Sequence, residues 1–344
     1  MKYIFVIIGF FIFAPLFGQE ALYGKFWIEF KDKKESPYQI EEPYKFLSPR
    51  AIARREKQGI AIDERDFPVN PNYVESIIQE GGSVHHTSRW LNAATIIIDS
   101  NQIIKIRKMP FVKKVIYVGK HINRPNLNLA SFYQRDSLIA YEKLPDHYGH
   151  GKNQIEMLNG HHLHKKGFRG ADKLIAILDG GFRYTDKIPF FDSLYLHNRI
   201  IANKDFVDQD STVYESSTHG SKVLSVMGAN LPGLLVGTSP EASYVCIKTE
   251  DVRAEYLVEE CNWIAGLEYA DSIGADIVNS SLGYTTFSDS RMDYTYEDLN
   301  GSVSRASIAA NIAFEKGMIT VCSAGNSGLD SWKYIGIPSD AKEY

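Results

Sequence analysis

Cysteine is nearly absent from this sequence, which holds three in 344 residues: Cys246, Cys261 and Cys322. Three thiols do not pair completely and none has metal-ligand spacing, which excludes a disulfide framework and a cysteine-bound zinc site. All three sit in apolar strand-like or helical patterns and are expected to be buried thiols. Excess charge of either sign is also missing. A net charge of -4 leaves no basic footprint for a nucleic acid. No apolar stretch at the N-terminus reaches the roughly 20 residues of a membrane span. The run from Tyr3 to Phe17 is shorter and is interrupted by Pro15. With Lys2 before it, this run reads as a secretory signal peptide over residues 1–19, ending near Gly18 or Gln19, with an uncleaved anchor as the alternative. No cysteine lies near that point, which argues against lipid attachment. Long disordered tracts are lacking too, since 44% of the residues are hydrophobic and 23% charged, the balance of a globular protein.

What is present falls into two grammars. After the leader, Phe26, Ile28 and Phe30 alternate with Lys25, Trp27 and Glu29, a strand period. Ser48 as cap, Pro49 at the first helical position and Gly59 at the close bracket a short helix. A second helix is expected from Tyr73, Val74, Ile77 and Ile78, stopped by Gly81-Gly82. A strand follows near Ser83 to His86, another over Ala93 to Asp99, a helix from Ser100 to about Lys108, and a strand over Lys114 to Val118. Without the helix at Ser48 the order is βαββαβ, which predicts a small ferredoxin-like α+β domain over residues 20–120. Residues 121–153 are polar, with Pro125, Pro145 and no sustained period, and read as a linker holding a processing site.

From 154 to 344 apolar strands alternate with helices. Leu174 to Leu178, Tyr244 to Ile247, Ala275 to Val278 and Met318 to Cys322 are strand-like, and each is separated from the next by a helical pattern or a glycine-marked turn. Continuous apolar strands alternating with helices predict an α/β fold with a doubly wound parallel sheet, covered on both faces. Ligands bind such sheets just beyond the carboxyl ends of the strands. The residues there are Asp179, Ser280 to Gly283, and Ala324 to Asn326. No Gly-x-Gly-x-x-Gly follows the first of these strands, which weakens a nucleotide-binding reading.

Four segments then carry a resemblance: Ile175-Ala-Ile-Leu-Asp-Gly-Gly-Phe182, Ser217-Thr-His-Gly-Ser-Lys-Val223, Val278-Asn-Ser-Ser-Leu-Gly283 and Val321-Cys-Ser-Ala-Gly-Asn-Ser-Gly328. In sequence and in order they resemble the subtilisin-like serine peptidases, the subtilases, and the βαββαβ domain resembles that family's inhibitory propeptide. Taken singly, Asp179 could cap a turn, His219 could open a solvated helix, and Asn326 could fill a left-handed turn. The resemblance implies instead that His219 is the general base, that Asp179 orients it, and that the Asn326 amide stabilises the oxyanion. It implies that Ser281, Leu282 and Gly283 pair with an extended polypeptide substrate, and that Ser323, Ala324 and Gly325 wall the pocket for the residue before the scissile bond. No cofactor is required by this chemistry. Calcium stays possible but unsupported, because the loop after the His219 helix lacks the asparagine-rich insertion that binds it in some members. The histidines His161, His162 and His164, and likewise His85 and His86, are expected on solvated faces.

The serine is the departure. Val236-Gly-Thr-Ser-Pro-Glu-Ala-Ser243 contains a Gly-Thr-Ser triplet, but Ser239 comes before the substrate segment and Asn326, and it leads into a strand rather than a helix. In the family the nucleophile follows the Asn loop and opens an apolar helix. Ser239 therefore reads as a connector, and the stretch from Asn326 to Tyr344 supplies no Gly-Thr-Ser-x-Ala. The expectation is a secreted endopeptidase precursor whose reading frame continues past Tyr344, inactive as these 344 residues. The alternative is a pseudopeptidase that binds peptides without cutting them.

Overall fold

In the computed structural model, residues 23–122 and 142–342 are described. The signal peptide expected at 1–19 and most of the expected linker at 121–153 lie outside the described residues.

The first domain begins with β1 (Tyr23–Phe30) and α1 (Pro49–Gln58). The Ser48 side chain accepts from the Ala51 N–H, and Gly59 ends α1 in the left-handed conformation, as the cap signals imply. Then come α2 (Pro71–Gln79), β2 (Ser83–Ser88), β3 (Ala93–Asp99), α3 (Ile103–Arg107) and β4 (Val112–Lys120). The sheet order is β2-β3-β1-β4, with antiparallel pairing throughout. This is the ferredoxin-like arrangement. Phe26, Ile28 and Phe30 face α2 and α3 in one core with Val69, Ile77, Ile96 and Ile106. The opposite face of β1 is not solvated. Trp27 is fully buried and Lys25 nearly so, because that face of the sheet is covered by the second domain.

The second domain opens with α4 (Lys152–Met157) and α5 (Gly160–Lys165), then β5 (Leu174–Asp179), α6 (Asp192–Leu196) and β6 (Ile200–Asp205). Next are α7 (His219–Gly228), the two-residue hairpin strands β7 (Asn230–Leu231) and β8 (Leu235–Val236), and β9 (Ser243–Lys248). The chain continues through α8 (Val258–Ile273), β10 (Ile277–Ser280), α9 (Arg305–Glu315) and β11 (Ile319–Cys322). The five-stranded sheet has the order β11-β10-β5-β9-β6, and every pairing in it is parallel. All six residues of β5 are buried, as a central strand covered on both faces requires. At one edge, β11 leaves Ile319 and Val321 about half exposed.

One helix joins the domains. Trp27, Trp90 and Val118 of the first share a continuous core with Val258, Cys261, Ile264 and Leu267 of α8. Around that core the contact is ionic. Asp271 accepts from Arg54, from Arg55 at 2.8 Å and from Arg89 at 2.5 Å, and all four side chains are buried. Glu268 accepts from the Ser88 hydroxyl at 2.6 Å and the Arg89 N–H at 2.8 Å. Lys316 reaches Asp66 at 2.8 Å. Gly274 ends α8 at a positive φ of 86°, where a Cβ would stand 2.7 Å from the Ala51 nitrogen. Only glycine meets both demands.

Candidate active site

Asp179 is the last residue of β5 and is fully buried. Its neighbour strands lie in register: Ser280 pairs with Leu178 and with Cys322, so Asp179, Ser281 and Ser323 leave the sheet side by side. At about 4.8 Å per strand, Asp179 and Ser323 stand roughly 10 Å apart. Strand connections run in opposite directions from β5, toward β9 and β6 first and toward β10 and β11 later. The crevice at such a reversal is where an α/β sheet binds its ligand.

His219 is the first residue of α7, and its N–H donates to the Ser217 hydroxyl at 3.0 Å. Its Nδ1 faces both oxygens of Asp179, at 3.0 and 2.8 Å. Gly220 allows this approach, since a Cβ there would lie 2.6 Å from the Gly181 carbonyl oxygen and 3.0 Å from the Asp179 Cβ. With Nδ1 held by the carboxylate, Nε2 is left as the acceptor and the imidazole side chain is half exposed toward the crevice. Burial pushes the Asp179 carboxyl above the ordinary carboxylate range, while the charge and hydrogen bond of His219 and the Gly180 N–H pull it back. The Gly180 N–H donates to Oδ1 at 2.8 Å.

The other site residues flank this pair. Ser281 accepts a hydrogen bond from the Asn279 amide at 3.2 Å, Leu282 is buried and Gly283 is exposed. The Ser323 N–H donates to the Ser280 carbonyl at 2.9 Å, and its hydroxyl accepts from the Gly325 N–H at 3.0 Å. Ala324, Gly325 and Asn326 are exposed, with Asn326 ahead of a single 3-10 turn over Ser327–Leu329. Sequence reasoning missed a fourth segment. The Gly336 N–H donates to the Ala324 carbonyl at 3.1 Å, and Ile337 and Tyr284 exchange backbone hydrogen bonds at 2.8 and 3.0 Å. Gly336 thus floors the space between the Ser281–Gly283 and Ser323–Asn326 walls. A glycine-proline pattern was the only signal for it.

Ser239 lies elsewhere. Its N–H donates to the Met227 carbonyl at 2.7 Å, at the far end of α7 from His219. A ten-residue helix is about 15 Å long, so Ser239 sits a helix length from the imidazole. Among the described residues no hydroxyl is hydrogen-bonded to His219 Nε2.

Three histidines expected in solvent are buried. His85 and His86 are each 8% exposed, in the contact between the domains, where His86 Nε2 meets the Asn262 Oδ1 at 2.8 Å. The sheet face that carries them is covered by α8, which local sequence does not show. His164 is also buried, its Nδ1 at 3.1 Å from the Tyr148 hydroxyl and its Nε2 at 2.9 Å from the Thr238 carbonyl. His162 is exposed. Cys246 and Cys261 are buried free thiols and Cys322 is partly so.

Among the described residues two groups of three carboxylates could hold a cation: Asp205, Asp210 and Glu215, and Glu250, Glu255 and Glu259. No described helix is long and apolar enough to cross a membrane.

Comparison with known proteins agrees with this geometry. Residues 25–132 match the Peptidase S8 propeptide domain of Bacteroidota, and residues 170–344 match the Subtilase family, which is just over half of the chain. Subtilisin E of Bacillus subtilis (strain 168) is 25% identical over 271 residues, covering 76% of this chain and 57% of its own length. The minor extracellular protease Vpr of the same strain is 29% identical over 186 residues, 52% of this chain and 20% of Vpr. The chain thus spans little more than half of the first relative and less of the second. The crystal structure of the epidermin leader peptide processing serine protease of Staphylococcus aureus covers 90% of this chain and 61% of its own, with a TM-score of 0.50 at 14% identity, a likeness of fold. With the propeptide match, the parallel sheet and the Asp179 to His219 contact in one chain, the protein belongs to the subtilase family and carries that family's propeptide domain ahead of its peptidase domain.

Proposed function

We propose that the chain is the propeptide and acid-base part of a secreted serine endopeptidase. Its Asp179 and His219 activate a serine hydroxyl that these 344 residues do not themselves present. The hydrogen bonds from His219 Nδ1 to both Asp179 oxygens carry this reading. They fix the tautomer in which Nε2 accepts a proton, and they stabilise the imidazolium formed when it does. The Asn326 amide then donates to the oxyanion of the tetrahedral intermediate. Ser281, Leu282 and Gly283 pair with the extended substrate backbone, and Ser323, Ala324 and Gly325 with Gly336 bound the pocket for the residue before the scissile bond. The protonated imidazole returns its proton to the leaving amine. The proton transfers require no metal. Export rests on the leader at 1–19, and processing falls in the linker at 121–153, with residues 20–120 acting as intramolecular inhibitor until then.

The 344-residue polypeptide alone should not cleave casein. A form extended by a Gly-Thr-Ser-bearing helix should, and H219A should abolish both that cleavage and release of the first domain. The loss expected for a triad member is about 10⁶ in turnover, a figure taken from work on a subtilisin, a member of this same family. S239A should leave turnover nearly intact. Inhibitor-sensitive cleavage by the unextended chain, or wild-type processing in H219A, would overturn the roles. Peptide binding with no turnover in the extended form would favour the pseudopeptidase.

A further inference from the structure

The two carboxylate groups differ in one respect. Asp205 and Glu215 gather with Asp208 around a resident cation, the Lys248 ammonium, which stands 3.0 Å from Asp205, 2.8 Å from Asp208 and 3.9 Å from Glu215. Glu250, Glu255 and Glu259 bring one oxygen each within 4.8 Å of one another. Among the described residues no lysine or arginine forms an ion pair with any of them. Glu259 is fully buried, and the hydrogen-bonding group set against it is another carboxyl, that of Glu255, rather than an N–H donor. The Tyr284 hydroxyl, buried beside the group, has no partner. Uncompensated buried carboxylates demand either protons or a cation. Burial, then the neighbouring carboxylates, pushes Glu259 up to about 11 and Glu250 up to about 7.

Position indicates which cation. Glu250 comes two residues after the end of β9, and β9 pairs Lys248 with Asp179. A Cβ on Gly180 would lie 3.3 Å from Glu250 Oε2 and 3.1 Å from the Val252 side chain. Tyr284 is the residue after the Ser281–Gly283 segment. The trio therefore lies beside the Asp179 to His219 pair, on the β9 side of β5, and meets the end of the substrate-pairing segment through Tyr284, whereas the Ser323–Gly325 wall lies on the β11 side. Glu259 forms its floor, and Glu250 and Glu255 are partly exposed at its mouth. Val252, 58% exposed beside that mouth, offers apolar surface to a methylene stem. Lys248 shows that this fold already seats an ammonium among three acids.

We propose that Glu250, Glu255 and Glu259 form a subsite of the peptide cleft that takes a lysine or arginine side chain of the substrate, at a position other than the residue before the scissile bond. This rests on the peptidase reading for its place in the cleft.

Binding tests the subsite without turnover. The 344-residue chain is titrated calorimetrically near pH 8 with arginine amide and with citrulline amide, its neutral isostere. Saturable binding of arginine amide is expected, weakened roughly thirtyfold or more by citrulline substitution, and similarly by E259Q and by E250Q. Thermal unfolding shows that each variant is folded. Calcium and terbium are titrated in parallel. Tyrosine-sensitised terbium luminescence that saturates and resists arginine amide would make this a metal site and overturn the proposal, as would no saturable binding of arginine amide. In the extended form, peptides bearing arginine should be cleaved in preference to their norleucine counterparts, and E259Q should lose that preference. Cleavage with no preference refutes the subsite and spares the peptidase. Arginine amide binding with no cleavage of any peptide refutes the peptidase and spares the cation site.

Discussion

Replacing Glu259 by glutamine should stabilise the chain at pH 8. Its carboxyl, pushed up to about 11 from an ordinary 4.5, keeps a proton in the folded state that the unfolded chain releases. The group therefore favours folding fully only below about 4.5, and that contribution is lost as pH rises toward 11. Glutamine is neutral throughout, so E259Q should gain about 1–3 kcal/mol at pH 8, read as a higher thermal midpoint and a flatter stability profile from pH 5 to 9. A lower midpoint would mean that the carboxylate is already compensated. Stability rising while arginine amide binding falls separates a ligand site from a packing residue. At this scale the sequence was uneven in what it disclosed. Asp179 and His219 were legible because a strand end and a helix start place them, and both places can be read locally. Glu259 was not, because Val258-Glu259-Glu260 looks like the solvated first turn of a helix. Its burial is set by Tyr284 and the β9 to α8 loop, which local reading does not bring together. Gly336 was missed for the same reason.

Helix α8 shows how an element can be read by half. Trp263, Ile264, Leu267 and Ala270 recur at helical spacing and by themselves imply one buried side, yet 13 of its 16 residues are buried, because Asn262, Glu268 and Asp271 face the first domain. Asp271 neutralises three arginines that share no other buried acid in common. D271A should therefore cost about 3–5 kcal/mol, the range for stranding buried charges, measured by denaturant unfolding. R89A should cost less, since Arg54 and Arg55 still hold Asp271. A change under about 1 kcal/mol for D271A would show that water already reaches the cluster. The caps of α1 were readable because Ser48, Pro49 and Gly59 act on their own backbone. Strand β6 was overlooked because, at the edge of the sheet, Asn203 and Lys204 break its apolar run, and only pairing with β9 makes it a strand.

The contact between the domains gives the whole molecule a pH response. Burial lowers His86 from 6.5 to about 4, with the Asn262 hydrogen bond opposing this and Lys25 adding to it; His85, beside it, is lowered too. A lowered histidine supports the folded state above 6.5, and the support is lost as pH falls toward 4. Burial alone would raise Asp66, but Arg55 and Lys316 hold it at about 2, so its contribution is lost only from about 4 downward. Between pH 6.5 and 4.5 the carboxyls of Glu250 and Glu259 work in the opposite direction, so the response is read as a difference: the thermal midpoint of H86Q should gain on that of the wild type as pH falls through this interval. Parallel profiles would remove His86 from the response. At the far side of the molecule, among the described residues β11 is paired on one side only, against β10, with Ile319 and Val321 bared on its face. Strand β6, at the opposite edge, is interrupted by Lys204, a common guard against sticking. An unguarded edge is indifferent to the identity of the strand that joins it, so concentrated solutions of this polypeptide should scatter light increasingly with time, and V321K should keep them clear.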